Sequence, residues 1–266
     1  MNSAQSNTRS GNLPDFVIIG GMKCGTTSLF QYLGEHPELA PCNNKEPSFF
    51  SKKNWHKGVE WYQTLFPQTG RLKFEASTDY SKYPNFDHVP QRMSEVIPGA
   101  RLIYIVRHPV DRVTSELVHN VRAGRLRYSA LTKPEFWPKG AQFSINCSKY
   151  YWQIEQYLPY FDKDRFCVIT LEELANDTRQ TLEQVLEFLG LAKGFYQDVI
   201  TYRKYNTASR KSLRGYWRRL RTPQQLKNFT LTYKQQRWIW DACVDDLRKL
   251  EEFIGRPLNY SAPRES

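Results

Sequence analysis

The stretch from Pro14 to Phe30, PDFVIIGGMKCGTTSLF, constrains the fold of this chain more than any other. The apolar run from Phe16 to Ile19 predicts a parallel strand that is buried on both faces. Two glycines then begin a turn, and the hydroxyl residues from Thr26 onward predict the start of a helix. Such a turn leaves the first backbone N–H groups of the helix unpaired and directs them, with the positive end of the helix dipole, at one position. The stretch therefore predicts an α/β fold with a phosphate site at a strand end.

The nearest alternative is the ATP- or GTP-binding loop G-x-x-x-x-G-K-[ST]. Gly20 and Gly25 have its glycine spacing, but the lysine is Lys23, which precedes the second glycine instead of following it. That loop also needs an acidic residue at a nearby strand end to hold Mg²⁺. The next strong strand, Arg101 to Val106, ends in Arg107, which suits another phosphate. These differences argue against a kinase, although a strand-turn-helix with no ligand also needs a glycine.

A second anion-binding motif follows the strand Arg101 to Val106. The strand delivers Arg107, Pro109 breaks the chain, and a helix is predicted from about Asp111. Ser115 lies eight residues after Arg107, a turn into that helix. A guanidinium and a hydroxyl so placed can converge on one anion. An ordinary capped strand–helix junction is the alternative interpretation of this segment alone.

Together the motifs resemble those of the sulfotransferases that use 3′-phosphoadenosine 5′-phosphosulfate (PAPS). The first stretch resembles their 5′-phosphosulfate loop, and RHPVDRVTS resembles their 3′-phosphate motif R-[DNH]-P-x-x-R-x-x-S. Residues 43–50, NNKEPSFF, resemble their K-E-P-x-F-F segment, in which the glutamate is the proposed general base. The resemblance extends over residues 15–260. It implies one P-loop-like α/β domain over residues 14–266, with a short parallel sheet flanked by helices, after a disordered tail of residues 1–13.

The resemblance also implies a mechanism without a metal. Glu46 would deprotonate the acceptor for in-line attack on sulfur, and Lys23 would stabilise charge on the leaving 5′-phosphate. The product would be adenosine 3′,5′-bisphosphate. The residues implied to contact the nucleotide are Lys23, Cys24, Gly25, Thr26, Thr27, Ser28, Arg107, Ser115, Ser209, Arg210 and Lys211. A plain loop carboxylate, paired with Lys45 or another base, is the alternative role for Glu46; His36 and His119 are the next candidates for the proton acceptor.

The acceptor site departs from the family pattern. In heparan sulfate O-sulfotransferases one segment reads E-K-[TS]-P-x-Y, whereas here Ala76 replaces its lysine and Thr78 its proline. Residues 121–147 lose periodicity, which predicts either an acceptor-facing lid or a solvated loop. The predicted acceptor contacts are Lys45, Ser48, Glu75, Ser77, Arg125, Arg127 and Arg214.

Composition narrows the acceptor only to a class. The net charge of +11 favours an anionic partner. We expect a carbohydrate, most plausibly a glycosaminoglycan-like polysaccharide, and no nucleic acid; a small molecule, a lipid or a tyrosyl peptide stays open, as does a non-catalytic polyanion-binding protein. The five cysteines have neither zinc-site nor disulfide spacing. If the first residue is the native start, we expect a cytoplasmic protein, and a lumenal Golgi domain otherwise, an alternative kept open by the N-x-[ST] sequons.

Overall fold

A computed structural model of the chain describes residues 11–196, 226 and 229–265. Five parallel strands form one sheet in the order β2-β3-β1-β4-β5. The strands are β1 Phe16–Gly20, β2 Leu39–Pro41, β3 Leu72–Ala76, β4 Arg101–Val106 and β5 Phe166–Thr170. Helices flank this sheet, which confirms the predicted α/β class.

The helices differ greatly in length. They are α1 Thr26–Gly34, α2 Gly58–Gln63, α3 Val89–Val96, α4 Pro109–Arg122, α5 Tyr128–Leu131, α6 Phe136–Gly140, α7 Gln142–Asn146, α8 Tyr150–Glu155, α9 Leu171–Asn176, α10 Thr178–Leu189 and α11 Tyr233–Ile254. Short 3₁₀ turns cover Trp55–Lys57, Thr78–Ser81 and Lys163–Arg165. No helix within the described ranges combines the length and apolarity needed to cross a membrane.

The central strands form where the sequence is continuously apolar. Every residue of β1 is buried, and so is every residue of β4 after Arg101. A parallel sheet with helices on its faces requires such runs, since both faces of each strand are covered. The predicted strand bounds hold to within one residue for β1 and β4. The three-residue β2 gave no recognisable signal.

The register brings three strand ends together. Phe16 and Ile18 of β1 pair with Phe74 and Ala76 of β3, and Ile18 also pairs with Ile103 of β4. In a parallel sheet the carboxyl ends of the strands lie at one edge, where ligands bind in α/β folds. The segments that follow β1, β3 and β4 therefore start side by side.

Residues 121–147 form α5, α6 and α7 instead of one irregular loop. The segment packs on the body of the domain: Leu131 is 1% exposed, and the Trp137 ring lies 6.2 Å from Trp238 of α11. Periodicity fails in the sequence because none of these helices exceeds five residues. Over residues 55–68 only α2 and the 3₁₀ turn before it form.

The predicted tail of residues 1–13 lies mostly outside the described residues. Asn12, near its end, is held in place: its side-chain Nδ2 donates to the carbonyls of Gln63, at 3.0 Å, and Phe66, at 2.6 Å. Leu13 packs against the core. Ser209, Arg210, Lys211 and Arg214 also lie outside the described residues.

Candidate active site

The turn after β1 leaves the start of α1 open. Gly25 at its N-cap has φ 96°, a left-handed conformation that glycine adopts without strain. A Cβ on Gly20 would lie 1.9 Å from Ser81 Oγ, so that position also admits only glycine. The first helical bond runs from the Leu29 N–H to the Gly25 carbonyl, and no described side chain caps this end. The N–H groups of Thr26 and Thr27 lie in this first turn, which is the arrangement that the predicted anion cradle requires.

The predicted loop residues divide by exposure. The Cys24 N–H donates to the Gly21 carbonyl at 3.1 Å, and its thiol is buried 3.9 Å from the Tyr150 hydroxyl. Burial raises the pKa of Cys24 to about 12, so the thiol stays protonated. The side chains of Thr26 and Ser28 are buried as well. Lys23 and Thr27 are half-buried, which makes them the loop side chains that a ligand can reach.

The two predicted phosphate motifs lie in contact. Arg107 follows β4, and its Nη1 donates to the Lys23 carbonyl at 3.4 Å. The Tyr150 hydroxyl, which lies beside Cys24, donates to the Arg107 carbonyl at 2.6 Å. A quarter of the Arg107 side chain is exposed, and Ser115 is half-buried on α4. Arg107 thus lies at the phosphate loop with part of its guanidinium open to solvent.

Arg112 supports the loop from beneath, a role that sequence reasoning missed. It is fully buried, and its Nη1 donates to the Met22 carbonyl at 3.4 Å. Its other donors reach Ser148 Oγ at 2.6 Å and Glu116 Oε2 at 2.9 Å. Burial opposes the charge, but the Glu116 carboxylate outweighs it and holds the pKa of Arg112 above its usual value. The i, i+4 spacing of Arg112 and Glu116 on one helix face is the signal that could have revealed the pair.

The loop that carries Glu46 rests on the end of β3. The Glu46 N–H donates to the Ala76 carbonyl at 3.0 Å, and the Ser77 N–H donates to Ile18 in β1 at 3.1 Å. The Glu46 side chain is 44% exposed, and its Oε1 lies 2.9 Å from Lys45 Nζ. Glu46 therefore stands at the strand edge where the phosphate loop begins. Its contact with Lys45 is the one that the alternative interpretation predicted.

Three predicted acceptor contacts are buried, two below that loop and Ser48 within it. Glu75 and Ser77 are 0% exposed and Ser48 is 7% exposed. Burial raises the pKa of Glu75 to about 7, and hydrogen bonds from Tyr80, Ser77 and Tyr62 hold the rise in check. In this structure Glu75 and Ser77 support the Glu46 loop, and an acceptor on the surface does not reach either of them.

The other predicted acceptor residues are more open. Lys45 is 20% exposed, and Arg125 and Arg127 are exposed in the turn after α4. Within the described ranges, no group of three or more His, Cys, Asp or Glu side chains could hold a metal ion.

The two histidines proposed as substitutes for Glu46 lie at helix ends. His36 follows α1, whose nine residues carry it about 13 Å from the phosphate loop. Its Nδ1 accepts from the Glu38 N–H at 3.2 Å, and burial lowers its pKa. His119 lies in the last turn of α4, about 15 Å along the helix from Pro109. Proximity in sequence was misleading here because each helix leads away from the strand edge.

Comparison with known proteins gives the family. A family model described as a sulfotransferase domain matches residues 13–261. The bifunctional heparan sulfate N-deacetylase/N-sulfotransferase 4 of Mus musculus is 29% identical over 72% of this chain, and enzyme 3 of Homo sapiens is 27% identical over 77%. The chain spans only 24% of the length of either relative.

Solved structures agree with the fold. A sulfotransferase from Alicyclobacillus acidocaldarius, 25% identical, superposes with a TM-score of 0.71 and covers 92% of this chain and 97% of its own. Mouse sulfotransferase SULT7A1 complexed with PAP, 16% identical, has the same fold with a TM-score of 0.55 over 92% of this chain and 91% of its own. The chain belongs to the PAPS-dependent sulfotransferases.

Proposed function

We propose that this domain transfers a sulfuryl group from PAPS to a nucleophile on a polysaccharide, with Glu46 as the general base. The observation that carries the proposal is a pair of successive backbone hydrogen bonds. One joins Glu46 to Ala76 at the end of β3, and the next joins Ser77 to Ile18 in β1. They hold the carboxylate of Glu46 at the strand edge that also bears the phosphate loop. A base and an anion cradle on neighbouring strand ends suit transfer between two bound substrates.

The residues of the cradle fit an anionic donor. The start of α1 presents backbone N–H groups and the positive end of the helix dipole. Lys23 and Arg107 add two cations at the rim of this cradle. Lys23 and the α1 amides would hold the 5′-phosphosulfate, while Arg107 and Ser115 would hold the 3′-phosphate. The resemblance assigns the cover over the nucleotide to Ser209, Arg210 and Lys211. Charge compensation by these groups leaves no step that requires a metal.

The chemistry then divides between Glu46 and Lys23. When bound, PAPS supplies a sulfuryl group attached to a phosphate leaving group. Glu46 takes the proton of the acceptor while the acceptor atom gives its electron pair to sulfur. The bond between sulfur and the 5′-phosphate oxygen breaks with its electrons on that oxygen. Lys23 and the α1 amides stabilise the negative charge that develops there.

A polysaccharide acceptor is supported by charge and by relatives. The net charge is +11, and Arg125 and Arg127 are exposed. The relatives from Mus musculus and Homo sapiens carry heparan sulfate in their names. Those names also specify N-sulfotransferase. An amine is therefore a second candidate for the nucleophile, beside the sugar hydroxyl that the sequence favoured.

An acceptor panel with labelled PAPS tests the proposal. It contains N-deacetylated heparosan, with free amines; N-sulfated but O-desulfated heparin, with hydroxyls; chondroitin; a tyrosyl peptide; and a simple phenol. We expect label in a heparan-type polysaccharide, and the first two substrates distinguish nitrogen from oxygen. Transfer to the peptide or the phenol with none to any polysaccharide would contradict the proposed acceptor.

A further inference from the structure

We infer that Glu75 is a positioning residue, which holds the Glu46 loop in place through the hydroxyls of Ser77 and Tyr80. The inference rests on the proposed role of Glu46 as general base. It assigns a task to a buried carboxylate that does not itself touch either substrate.

The shorter connection runs through Ser77. Its Oγ–H donates to Glu75 Oε2 at 2.7 Å, and the Ser48 N–H donates to the same Ser77 Oγ at 3.0 Å. Ser48 is two residues after Glu46, so one side chain separates the buried carboxylate from the backbone of the loop. Because the Ser77 hydroxyl donates its hydrogen bond to Glu75, its oxygen is oriented to accept one from the Ser48 N–H.

A second connection reaches the loop two residues further on. The Tyr80 hydroxyl donates to Glu75 Oε1 at 2.6 Å and accepts from the Phe50 N–H at 3.4 Å. Glu75 therefore orients two hydroxyls that meet alternate backbone N–H groups of one loop. Both hydroxyls and the carboxylate are buried, so water does not compete for these bonds.

The loop needs such support because its backbone is strained. Glu46 has φ 62° and Ser48 has φ 49°, the left-handed region that residues with a Cβ rarely adopt. Conformations of this kind persist only where surrounding contacts hold them. The Glu46 side chain is itself half exposed, and among the described residues its hydrogen-bond partner is Lys45 alone. Its direction is therefore set by the backbone beneath it.

A carboxylate fits this task better than a neutral group. Glu75 accepts from three hydroxyls, those of Tyr62, Ser77 and Tyr80. Above its pKa of about 7 this carboxylate is ionised, accepts only and can satisfy all three, whereas an amide would place its own donors among them. A buried carboxylate lowers stability, so packing alone would favour an apolar side chain at this position.

The test compares Ser77→Ala and Glu75→Gln with Tyr62→Phe as a matched control. The Tyr62 hydroxyl donates to the same carboxylate at 2.9 Å, but from α2 and with no onward bond to the loop. Phenylalanine keeps the ring that stacks on Phe49 at 4.3 Å. Ser77→Ala removes a single oxygen and remains informative if Glu75→Gln does not fold.

Two measurements, of loop exchange and of turnover, are made on each variant beside a nucleotide-binding control. Hydrogen exchange of residues 43–51 follows the loop without any acceptor; in Ser77→Ala and Glu75→Gln we expect it to rise about tenfold, as for one lost hydrogen bond. Single-turnover transfer at saturating substrates follows the chemistry; we expect a fall of up to about 10²-fold, as for a misplaced catalytic group. The Kd of adenosine 3′,5′-bisphosphate should stay within about twofold, since the phosphate sites lie elsewhere. Tyr62→Phe should match the wild type in both.

The outcomes separate this inference from the proposed function. If hydrogen exchange is unchanged in Ser77→Ala, the positioning role of Glu75 is wrong whatever the acceptor is. It is also wrong if exchange is faster but turnover stays at the wild-type rate. An equal loss in Tyr62→Phe would also overturn it, since general destabilisation would then explain the defect. If Glu46→Gln retains activity, the assignment of the base fails, while exchange still reports whether Glu75 holds the loop.

Discussion

The proposed donor side and the proposed acceptor side of this site are built differently. On the donor side, buried side chains fix the phosphate loop: Arg112 binds the Met22 carbonyl, and Tyr150 contacts both Cys24 and Arg107. On the acceptor side, Glu46 projects 44% exposed from a loop, beside one lysine. A ligand shared by a whole family can be held by a rigid frame. A variable acceptor is met by exposed side chains, which can change without disturbing the frame.

Variants of the two sides should therefore have different effects. Changes to the frame should alter stability or nucleotide binding, whereas changes at the Glu46 loop should alter turnover at constant nucleotide affinity.

The largest expected effect is on turnover, in Glu46→Gln. The amide is isosteric but cannot accept the proton, so single-turnover transfer should fall by about 10²–10⁴-fold. Binding of adenosine 3′,5′-bisphosphate should be unchanged. Rapid-quench measurement at saturating PAPS and acceptor gives the rate.

His36→Ala and His119→Ala are the controls for that experiment. Both residues lie at the ends of helices that lead away from the phosphate loop, so their transfer rates should match the wild type. A Glu46→Gln rate within threefold of the wild type would contradict the assignment, and a collapse in a histidine variant would identify its replacement.

Arg112→Met should have the next largest effect, on stability. It leaves the Glu116 carboxylate buried without its cation, a change that costs about 3–5 kcal/mol. Urea denaturation of the two proteins measures this loss. The double variant with Glu116→Leu should recover most of it, because no buried charge then remains; a double variant as unstable as the single one would show that packing, not charge, explains the effect.

Arg107→Ala should weaken nucleotide binding and leave the fold intact. The side chain is partly exposed, and its loss removes a charge-assisted contact to the 3′-phosphate worth about 1.5–3 kcal/mol, or tenfold and more in Kd. Calorimetry should detect this weakening for adenosine 3′,5′-bisphosphate but not for adenosine 5′-monophosphate, which lacks the 3′-phosphate. An equal loss for both nucleotides would place Arg107 elsewhere in the site.

The strands and helix starts of the proposed donor side were predictable because their signals are local. The apolar run before Gly20, the start of α1 at Thr26 and the arginine after β4 each follow from neighbouring residues. The support beneath the site depends on contacts between distant segments, as between Ser77 and Ser48, and no local pattern encodes them. Glu75 was therefore predicted to contact the acceptor, whereas the structure buries it.

Lys45→Met gives the smallest expected effect, and it tests whether Glu46 is a base or an ion-pair partner. The Lys45–Glu46 pair is 2.9 Å long, but its members are 20% and 44% exposed, so it contributes about 0–1 kcal/mol. If Glu46 serves as the base, losing Lys45 should change turnover by only a few-fold while Glu46→Gln removes most of it. If the pair itself matters, the two variants should be equally impaired, and the double variant should be no worse than either. Single-turnover rates of the three variants, read as a double-mutant cycle, decide between these cases.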